Sequence, residues 1–316
     1  MMPRRITVIG ASGFIGRYVV KRLAADGAVI CACSRHARDA GFLRPMGDVG
    51  QVATFDADIT DERALTAVIA GSDAVINAVG ILYERGKQNF AALHHQGPAR
   101  LAKLAKAAGV RHFVHISAIS ADPAGPSAYA RTKAAGEDAV RAAFADAVIL
   151  RPALVFGPED NFFNRFAAMA RYLPALPLIG GGHTKFQPVY VGDVAAAVAA
   201  VLSLAGAGGK TYELAGPVVF DLKQLFALTL HVIGRKRLLM PVPFGLASVK
   251  AFFLELLPKP LLTRDQVHLL KRDSVARPGA PGLAELGIAP QVLELVLPSY
   301  LDRYRRAGRM GGIRHA

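Results

Sequence analysis

The amino-acid sequence predicts an α/β protein: a Rossmann-type, doubly wound parallel sheet with a smaller, irregular C-terminal α/β part. Two observations predict this fold class. Up to about residue 150, short apolar segments alternate with segments of helical spacing, as in a parallel sheet covered by helices. From Arg151-Pro152 onward, proline and glycine become more frequent and the elements become shorter. We therefore expect one domain over residues 1–150 and a smaller substrate- or partner-facing region over residues 151–316, parts of which return to the sheet.

Six strands are expected in the first domain, because each segment is an apolar run of the length that a buried parallel strand needs. A further strand is expected near Thr211–Leu214 in the second region. In chain order the six strands are Ile6–Ile9, Ala28–Ser34, Thr54–Ala57, Asp73–Ala78, His112–Ser117 and Ala147–Leu150.

Helices are expected between these strands, where apolar residues recur at the spacing of one helix face. Thr60 is placed to cap the second helix, and Gly109 is placed to end the third. The expected helices are Phe14–Ala25, Asp61–Ala70, Phe90–Ala108 and Tyr129–Phe144, followed in the second region by Asp193–Leu204 and Leu222–Ile233.

The composition excludes several classes of protein. The 316 residues are 52% hydrophobic and 20% charged, which excludes a disordered chain. No apolar stretch is long enough for a spanning helix, and the sequence from Met1 to Arg5 has no apolar secretion signal, so a cytoplasmic protein is expected. Cys31 and Cys33 are too close on one strand to bridge. They are expected as reduced core residues, and no metal site is expected.

The formal net charge of +14 is compatible with nucleic acid, an anionic membrane surface or an acidic protein as partner. The basic residues are spread along the chain without a known nucleic-acid-binding module, so we expect no nucleic-acid partner. Residues 244–257 are apolar except for Lys250 and Glu255. This segment is too short to span a bilayer and would lie in the membrane interface, dock on a partner, line a lipid-like substrate pocket, or be buried. The apolar residues Phe156, Phe162, Phe163, Phe166 and Met169 would suit a deep hydrophobic substrate site or an ordinary core, and we expect a core role for most of them.

A glycine-rich loop lies between the first strand and the first helix. Gly10, Gly13 and Gly16 follow the GxxGxxG spacing. Such a loop lets the backbone approach a pyrophosphate, whose charge meets the N-terminus of the helix. The sequence therefore predicts that residues 1–150 bind a dinucleotide. The predicted loop contacts are Gly10, Ser12, Gly13, Phe14, Ile15 and Gly16.

The end of the second strand indicates which dinucleotide is bound. An acidic residue there would hold the ribose 2′-hydroxyl of NAD(H). The sequence instead has Ser34 followed by Arg35, whose guanidinium suits a 2′-phosphate. NADP(H) is therefore predicted in preference to NAD(H), although a solvated loop arginine is the alternative. Asp58 and Ile59 follow the third strand, where Asp58 would meet the adenine or cap the next helix.

Three residues form a candidate catalytic set. Ser117 ends the fifth strand, and Tyr129 and Lys133 lie one turn apart on the following helix. An ammonium group near the phenol would lower the tyrosine pKa. Tyr129 would then exchange a proton with a carbonyl or an alcohol while hydride moves, and Ser117 would polarise the same oxygen. The alternative is nucleotide contact by Tyr129 and Lys133 without turnover.

Residues 4 to about 200 resemble the short-chain dehydrogenase/reductase superfamily, in its extended or atypical branch. The matching segments are GASGFIG (10–16), NAVG (77–80), the Ser117/Tyr129/Lys133 set, RPALVFGPED (151–160) and QPVYVGDVA (187–195). The whole chain resembles more narrowly the nucleotide-binding accessory subunits (alpha subcomplex subunit nine) of respiratory complex I and their bacterial homologues. That likeness rests on MGDVGQ (46–51), YARTKAAGED (129–138), LTRDQVHLLKRD (262–273) and PSYL (298–301).

The resemblance implies a tightly held NADPH and a largely structural role. It also implies nucleotide contacts from Ala78, Val79 and Gly80, and from Pro152 and Leu154 in the turn that would pass the nicotinamide. Many extended members carry an asparagine where this sequence has His94. This histidine would be a helix-face residue bonded to the backbone, or a proton relay.

Two functions stay open on the sequence. The first is an NADP(H)-binding accessory or assembly protein linked to NADH:quinone oxidoreductase or to quinone metabolism. Its partners would be complex I subunits or a quinone-pathway protein, in the cytoplasm or peripherally on the inner face of the cytoplasmic membrane. The second is a soluble NADPH-dependent oxidoreductase or epimerase that acts on a hydrophobic substrate through Ser117, Tyr129 and Lys133.

Overall fold

The computed structural model describes residues 5–306. These residues divide into two compact units. The first unit comprises residues 5–152, 191–214 and 277–289, and the second comprises residues 153–190, 215–276 and 290–306.

The strands of the described chain, in order, are β1 Arg5–Ile9, β2 Val29–Ser34, β3 Val52–Asp56, β4 Ala74–Asn77, β5 His112–Ile116, β6 Val148–Pro152, β7 Val155–Phe156, β8 Ala175–Ile179, β9 Lys185–Phe186, β10 Val189–Tyr190, β11 Thr211–Leu214, β12 Phe220–Asp221 and β13 Leu238–Val242. The α-helices are α1 Phe14–Ala25, α2 Glu62–Ile69, α3 Gly97–Ala107, α4 Ala128–Ala143, α5 Phe163–Tyr172, α6 Val191–Ser203, α7 Leu222–Val232, α8 Phe244–Leu254, α9 Arg264–Leu269 and α10 Leu293–Leu301. None of these described helices combines the length and apolarity that crossing a membrane requires.

The first unit contains a seven-stranded parallel sheet in the order β11-β6-β5-β4-β1-β2-β3. The predicted Rossmann-type doubly wound sheet is therefore confirmed, including the strand expected near Thr211–Leu214. The strand order reverses around β1, whose neighbours are β2 and β4. In such sheets the ligand crevice lies outside the carboxyl ends of the strands at this switch point.

Two helix starts differ from the sequence-based expectation. Helix α2 is capped by Asp61, whose carboxylate accepts from the backbone N–H of Ala64 at 3.1 Å, so the expected cap by Thr60 is wrong. The expected long helix over Phe90–Ala108 begins instead with a π-helical turn at Ala91–Gln96 before α3. A wider turn of this kind is frequent at functional sites.

The second unit has its own aromatic core. Phe156 and Phe163 are fully buried, and Phe162, Phe166 and Met169 pack partly buried against them, so the expected core role of this stretch is confirmed. Asp160 ties this core to the last helix, because its carboxylate accepts from the hydroxyl of Tyr300 at 2.6 Å and from the backbone of the surrounding loop. Two of the motif segments, residues 151–160 and 298–301, are thus joined by a buried hydrogen bond.

Candidate nucleotide-binding site

The glycine-rich loop connects β1 to α1 at the carboxyl end of the sheet. The backbone N–H groups of Gly10 and Ala11 both donate to the carbonyl of Cys33 at 3.0 Å. Gly10 has a φ of +83°, a conformation that favours glycine. A Cβ at Gly16 would lie 2.2 Å from the carbonyl oxygen of Gly10, so the third glycine lets α1 fold back against the loop. Helix α1 begins after Gly13 without a side-chain cap, and its first N–H groups suit an anion.

The residues after β4 lie beside this loop. Ala78 donates its backbone N–H to the carbonyl of Ile9 at 2.9 Å, and Val79 donates to the side-chain oxygen of Asn77 at 3.1 Å. A Cβ at Gly10 would lie 2.9 Å from the carbonyl carbon of Ala78. The structure therefore brings Ala78 and Val79 against the glycine loop, while Gly80 has no atom within 4 Å of the place its Cβ would take.

The end of β2 presents a mixed electrostatic environment. Ser34 is buried and donates its hydroxyl to the carbonyl of His36 at 2.9 Å. Arg35 is exposed and forms no hydrogen bond or ion pair with another described residue. Sequence reasoning missed Asp56 at the end of the adjacent β3, which accepts from the backbone N–H of Ala37 at 2.6 Å. A cleft of about 450 Å³ beside these residues is lined by His36, Arg38, Asp39 and Asp56.

The residues after β3 have local partners. The carboxylate of Asp58 accepts from the backbone N–H of Thr60 at 2.8 Å and from its hydroxyl at 2.7 Å, so Asp58 holds a turn and does not cap α2. Ile59 is buried, and its side chain would lie 3.0 Å from a Cβ at Gly97. Both residues therefore shape the loop that enters α2.

Ser117 does not present its hydroxyl hydrogen to a ligand in this structure. Its Oγ donates to Oε1 of Glu137 at 2.5 Å. Glu137 is buried and also accepts from Nε and Nη2 of Arg151, at 2.9 and 2.7 Å. The hydrogen that would polarise a substrate oxygen is thus engaged in a buried Ser117–Glu137–Arg151 network.

Lys133 and Tyr129 lie one turn apart on α4, as predicted, but their pKa values move against the catalytic expectation. Lys133 is buried, donates from Nζ to the carbonyl of Ile116 at 2.8 Å, and has its pKa lowered to about 8 by desolvation. Burial raises the pKa of Tyr129 to about 12, so the expected lowering of the tyrosine pKa is wrong for this structure. The Tyr129 ring packs edge-on against the rings of Phe90 and His94, with centroids 5.9 and 5.2 Å away.

His94 lies in the π-helical turn and bonds through both ring nitrogens. Nε2 accepts from the backbone N–H of Ile81 at 3.1 Å, which leaves the proton on Nδ1, 3.3 Å from the hydroxyl of Thr132. Burial, followed by the charge of Lys133, lowers the pKa of His94 to about 3. The imidazole is therefore neutral at physiological pH, and the geometry favours the backbone-bonded role over a proton relay.

The structure reveals further polar residues beneath the site that sequence reasoning did not select. His115, fully buried on β5, lies 3.1 Å through Nδ1 from the side-chain nitrogen of Asn77. Strand β5 ends at Ile116, one residue before Ser117, whose backbone N–H still donates to Leu150 of β6 at 2.7 Å. The alternation of side chains along this extended segment places His115 and Ser117 on one side, and this was the available signal. For Glu137 the available signal was its position four residues after Lys133, which places both side chains on the same face of the helix.

Pro152 and Leu154 belong to different units. Pro152 ends β6 in the first unit, where its carbonyl accepts from the backbone N–H of Ile119 at 3.0 Å. Leu154 belongs to the second unit, where its carbonyl accepts from Val189 at 2.9 Å and its side chain packs against the aromatic core. Cys31 and Cys33 are buried in β2 with their sulfur atoms 3.7 Å apart, as expected for reduced core residues. Among the described residues, no group of three His, Cys, Asp or Glu is placed to hold a metal.

The sequence of this chain is similar to one protein family and to individual proteins of known name. The sequence profile of the "NAD dependent epimerase/dehydratase family" matches residues 6–215. The chain is 37% identical over 314 residues to "NADH dehydrogenase [ubiquinone] 1 alpha subcomplex subunit 9, mitochondrial" of Arabidopsis thaliana, covering 96% of this chain and 78% of that protein. It is 32% identical over 195 residues to a "Ceramide reductase" of Caulobacter vibrioides, covering 62% of this chain and 60% of that protein.

Among solved structures, the fold is similar to that of a dTDP-glucose 4,6-dehydratase from Streptomyces venezuelae. The TM-score is 0.74 at 22% identity, over 96% of this chain and 98% of the other. That structure holds NAD. At this level of identity the likeness concerns the fold.

Proposed function

The chain belongs to the NAD dependent epimerase/dehydratase family and, within it, to the group of alpha subcomplex subunit 9 proteins, and we propose from this that it binds NADP(H) in a largely structural role. The protein would act as an accessory or assembly factor linked to NADH:quinone oxidoreductase or to quinone metabolism. Complex I subunits would be its partners, and it would lie in the cytoplasm or peripherally on the inner face of the cytoplasmic membrane.

The glycine loop supports binding of a dinucleotide. The positive φ of Gly10 turns the chain toward α1, whose uncapped first backbone N–H groups would bind a pyrophosphate. Ala78 and Val79 line the adjacent strand end. When bound, the cofactor supplies hydride chemistry. The residues of the chain bind and orient it.

The engagement of Ser117 carries the proposal of a structural role. A hydroxyl that polarises a substrate oxygen must donate its hydrogen to that oxygen, but Ser117 donates to Glu137. Three hydrogen bonds from Arg151 hold Glu137 in this position. Tyr129, with its pKa raised to about 12, stays protonated at neutral pH and is therefore a poor base for the oxidation of an alcohol.

Arg35 is expected to select the 2′-phosphate. A charge-assisted contact contributes roughly 1.5–3 kcal/mol, so NADPH should bind about 10- to 150-fold more tightly than NADH. Arg35→Ala should remove most of this preference in calorimetric titrations. Arg111→Ala removes the same charge at the amino end of β5, whereas Arg35 follows the carboxyl end of β2, so this variant should leave the ratio unchanged. Equal affinity of the parent protein for the two nucleotides would contradict the assignment.

The second candidate function is reduction or epimerisation of a hydrophobic substrate. It is favoured by the spacing of Tyr129 and Lys133 on α4 and by the likeness to a ceramide reductase. In that case Tyr129 would supply the proton and Lys133 would hold the nicotinamide ribose.

Tyr129→Phe separates the two functions, because it removes one hydroxyl and keeps the ring and its packing. With a structural role, the variant should bind NADPH within about twofold of the parent and should complement a deletion strain fully. With a reductase, it should keep NADPH but lose complementation. Gly13→Val is the control for a lost nucleotide, because a branched side chain would hold the pyrophosphate off the loop. Loss of complementation by Tyr129→Phe with full NADPH occupancy would overturn the structural role.

A further inference from the structure

Helix α8 turns its large apolar side chains outward. Ala247 and Ala251 are its buried residues, and they pack with Val267 of α9. Leu256, just after the helix, is 77% exposed, while Phe253 and Val249 on the helix are 63% and 58% exposed. This distribution is the reverse of an ordinary surface helix, which buries its large apolar residues against the core. We call the exposed set the α8 apolar surface: Leu246, Val249, Phe252, Phe253, Leu256 and Leu257.

Further exposed apolar side chains occur on a neighbouring element of the same unit. In strand β13, which precedes α8, Leu238 and Met240 are also exposed. A group of large exposed apolar side chains on one helix is unusual for a soluble protein and marks a site of interaction with a partner or a membrane.

The segment of the chain that contains this surface is basic. Residues 235–272 contain eight Lys or Arg and two Asp or Glu. Of the two acidic residues, Glu255 is paired with Arg264 at 3.0 Å, and the Arg264 guanidinium lies over the Phe252 ring. Lys250 and Lys259 are exposed and form no hydrogen bond or ion pair with a described residue. The apolar side chains are thus accompanied by cations that are free to meet anions.

We propose that the α8 apolar surface inserts into the interfacial layer of an anionic phospholipid membrane. This proposal deepens the peripheral location given in the proposed function and rests on it, but it requires neither nucleotide binding nor a protein partner. Protein–protein interfaces are depleted in lysine at their centres, whereas interfacial helices combine aromatic and aliphatic residues with lysines that reach the headgroups. An 11-residue helix is about 16 Å long, about half the hydrocarbon thickness, so it suits insertion parallel to the membrane plane.

The test is flotation of the full chain with lipid vesicles at low salt. Vesicles of phosphatidylcholine containing one third phosphatidylglycerol should carry the protein, and pure phosphatidylcholine vesicles should carry at least about tenfold less. The triple variant Val249→Ser/Phe253→Ser/Leu256→Ser should lower binding to the anionic vesicles by about tenfold or more, since three apolar side chains no longer enter the lipid. Lys250→Glu/Lys259→Glu should weaken binding mainly at low salt.

Leu295→Ser is the matched control, because Leu295 is equally exposed in the same unit but lies on α10, outside this surface. It should bind vesicles like the parent. Retained NADPH binding and melting temperature would show that each variant is folded. Vesicle binding by the triple variant at the parent level, or no binding by the parent, would overturn the proposal. A dimer that the same triple substitution dissociates, without vesicle binding, would also overturn it, by making the surface an interface between copies. Failure to bind complex I subunits would instead count against the proposed function alone.

Discussion

Gly16→Ala is expected to destabilise the first unit by at least about 3 kcal/mol, at or beyond the upper end of ordinary overpacking. The added Cβ would lie 2.2 Å from the carbonyl oxygen of Gly10 and 2.9 Å from the Cα of Ala11. Both contacts are with backbone atoms, so no side-chain rotation relieves them. Either α1 moves away from β1 or the loop changes its conformation. Chemical denaturation of the purified variant, followed by circular dichroism, measures the loss of unfolding free energy.

The same substitution at two other glycines provides matched controls. At Gly13 a Cβ would lie 3.2 Å from the Gly10 oxygen, a tight contact that a small shift accommodates, so Gly13→Ala should cost much less stability. Gly245, on a helix as Gly16 is, has no atom within 4 Å of its Cβ position. Gly245→Ala should therefore be neutral or stabilising by roughly 0.5–1 kcal/mol. Equal stability of the Gly16 and Gly245 variants would contradict the packing role of the third glycine.

These glycines separate stability from binding. Gly13 lies at the turn that faces the expected pyrophosphate, so a large residue there should remove the nucleotide and leave most of the fold. Gly16 lies at the contact between helix and loop, so even a methyl group there should reduce the folded population. The GxxGxxG spacing alone gives the three positions, but only the Cβ distances show that the third is the least tolerant.

The parts of the fold that follow local rules could be predicted from the sequence. Helix α1 has the bounds that its apolar spacing indicates, and the ends of most strands in the sheet fall within two residues of the expected positions. Periods of 3.6 and 2 residues are properties of neighbouring side chains, so they are visible without tertiary structure. The π-helical turn at Ala91–Gln96 was not visible, because its sequence continues a helical pattern. In this turn the imidazole of His94 accepts a hydrogen bond from the backbone N–H of Ile81, a contact between residues 13 positions apart.

The candidate site was predictable in position and less so in chemistry. The carboxyl ends of β1, β2, β4 and β5 lie where the motifs place them, because parallel strands share one edge. The direction of the Ser117 hydroxyl depends on Glu137, which is 20 residues away and reaches Ser117 only when α4 packs over the sheet. The exposure of α8 is also a tertiary property. The sequence of an apolar segment predicts a helix whose side chains are removed from water. It does not predict whether the same chain, another protein or a lipid surface covers them.

Glu137→Gln is expected to destabilise the protein by about 3–5 kcal/mol, the loss typical of breaking a buried ion pair. The Glu137 side chain is buried, accepts three hydrogen bonds from Arg151 and one from Ser117, and lies 3.5 Å from Nη2 of Arg141. A glutamine keeps one oxygen as an acceptor but places an NH₂ group opposite a donor, either the Ser117 hydroxyl or the Arg151 guanidinium. It also removes the negative charge that compensates the positive charge of Arg151. Arg151 would then have only Glu213 as a carboxylate partner among the described residues, at 3.7 Å.

Asp138→Asn is the matched control, since it makes the same chemical change at the next position. Asp138 is 76% exposed and forms a surface pair with Arg141 at 3.6 Å, so its loss should change stability by about 0–1 kcal/mol. Equilibrium unfolding in urea compares the two variants at one pH and one salt concentration. A loss at Glu137 no larger than that at Asp138 would contradict the buried network.

Ser117→Ala then decides what the serine does. If the hydroxyl serves the network, its removal leaves one lone pair of Glu137 without its donor, and the stability loss should be about 1–3 kcal/mol with NADPH still bound. In the Glu137→Gln background the same substitution should cost less, because the partner has already changed, and the double-mutant cycle should show coupling. An unaltered unfolding free energy for Ser117→Ala alone, with no coupling in the cycle, would show that the hydroxyl does not stabilise the network with Glu137. The hydroxyl would then be available to a substrate.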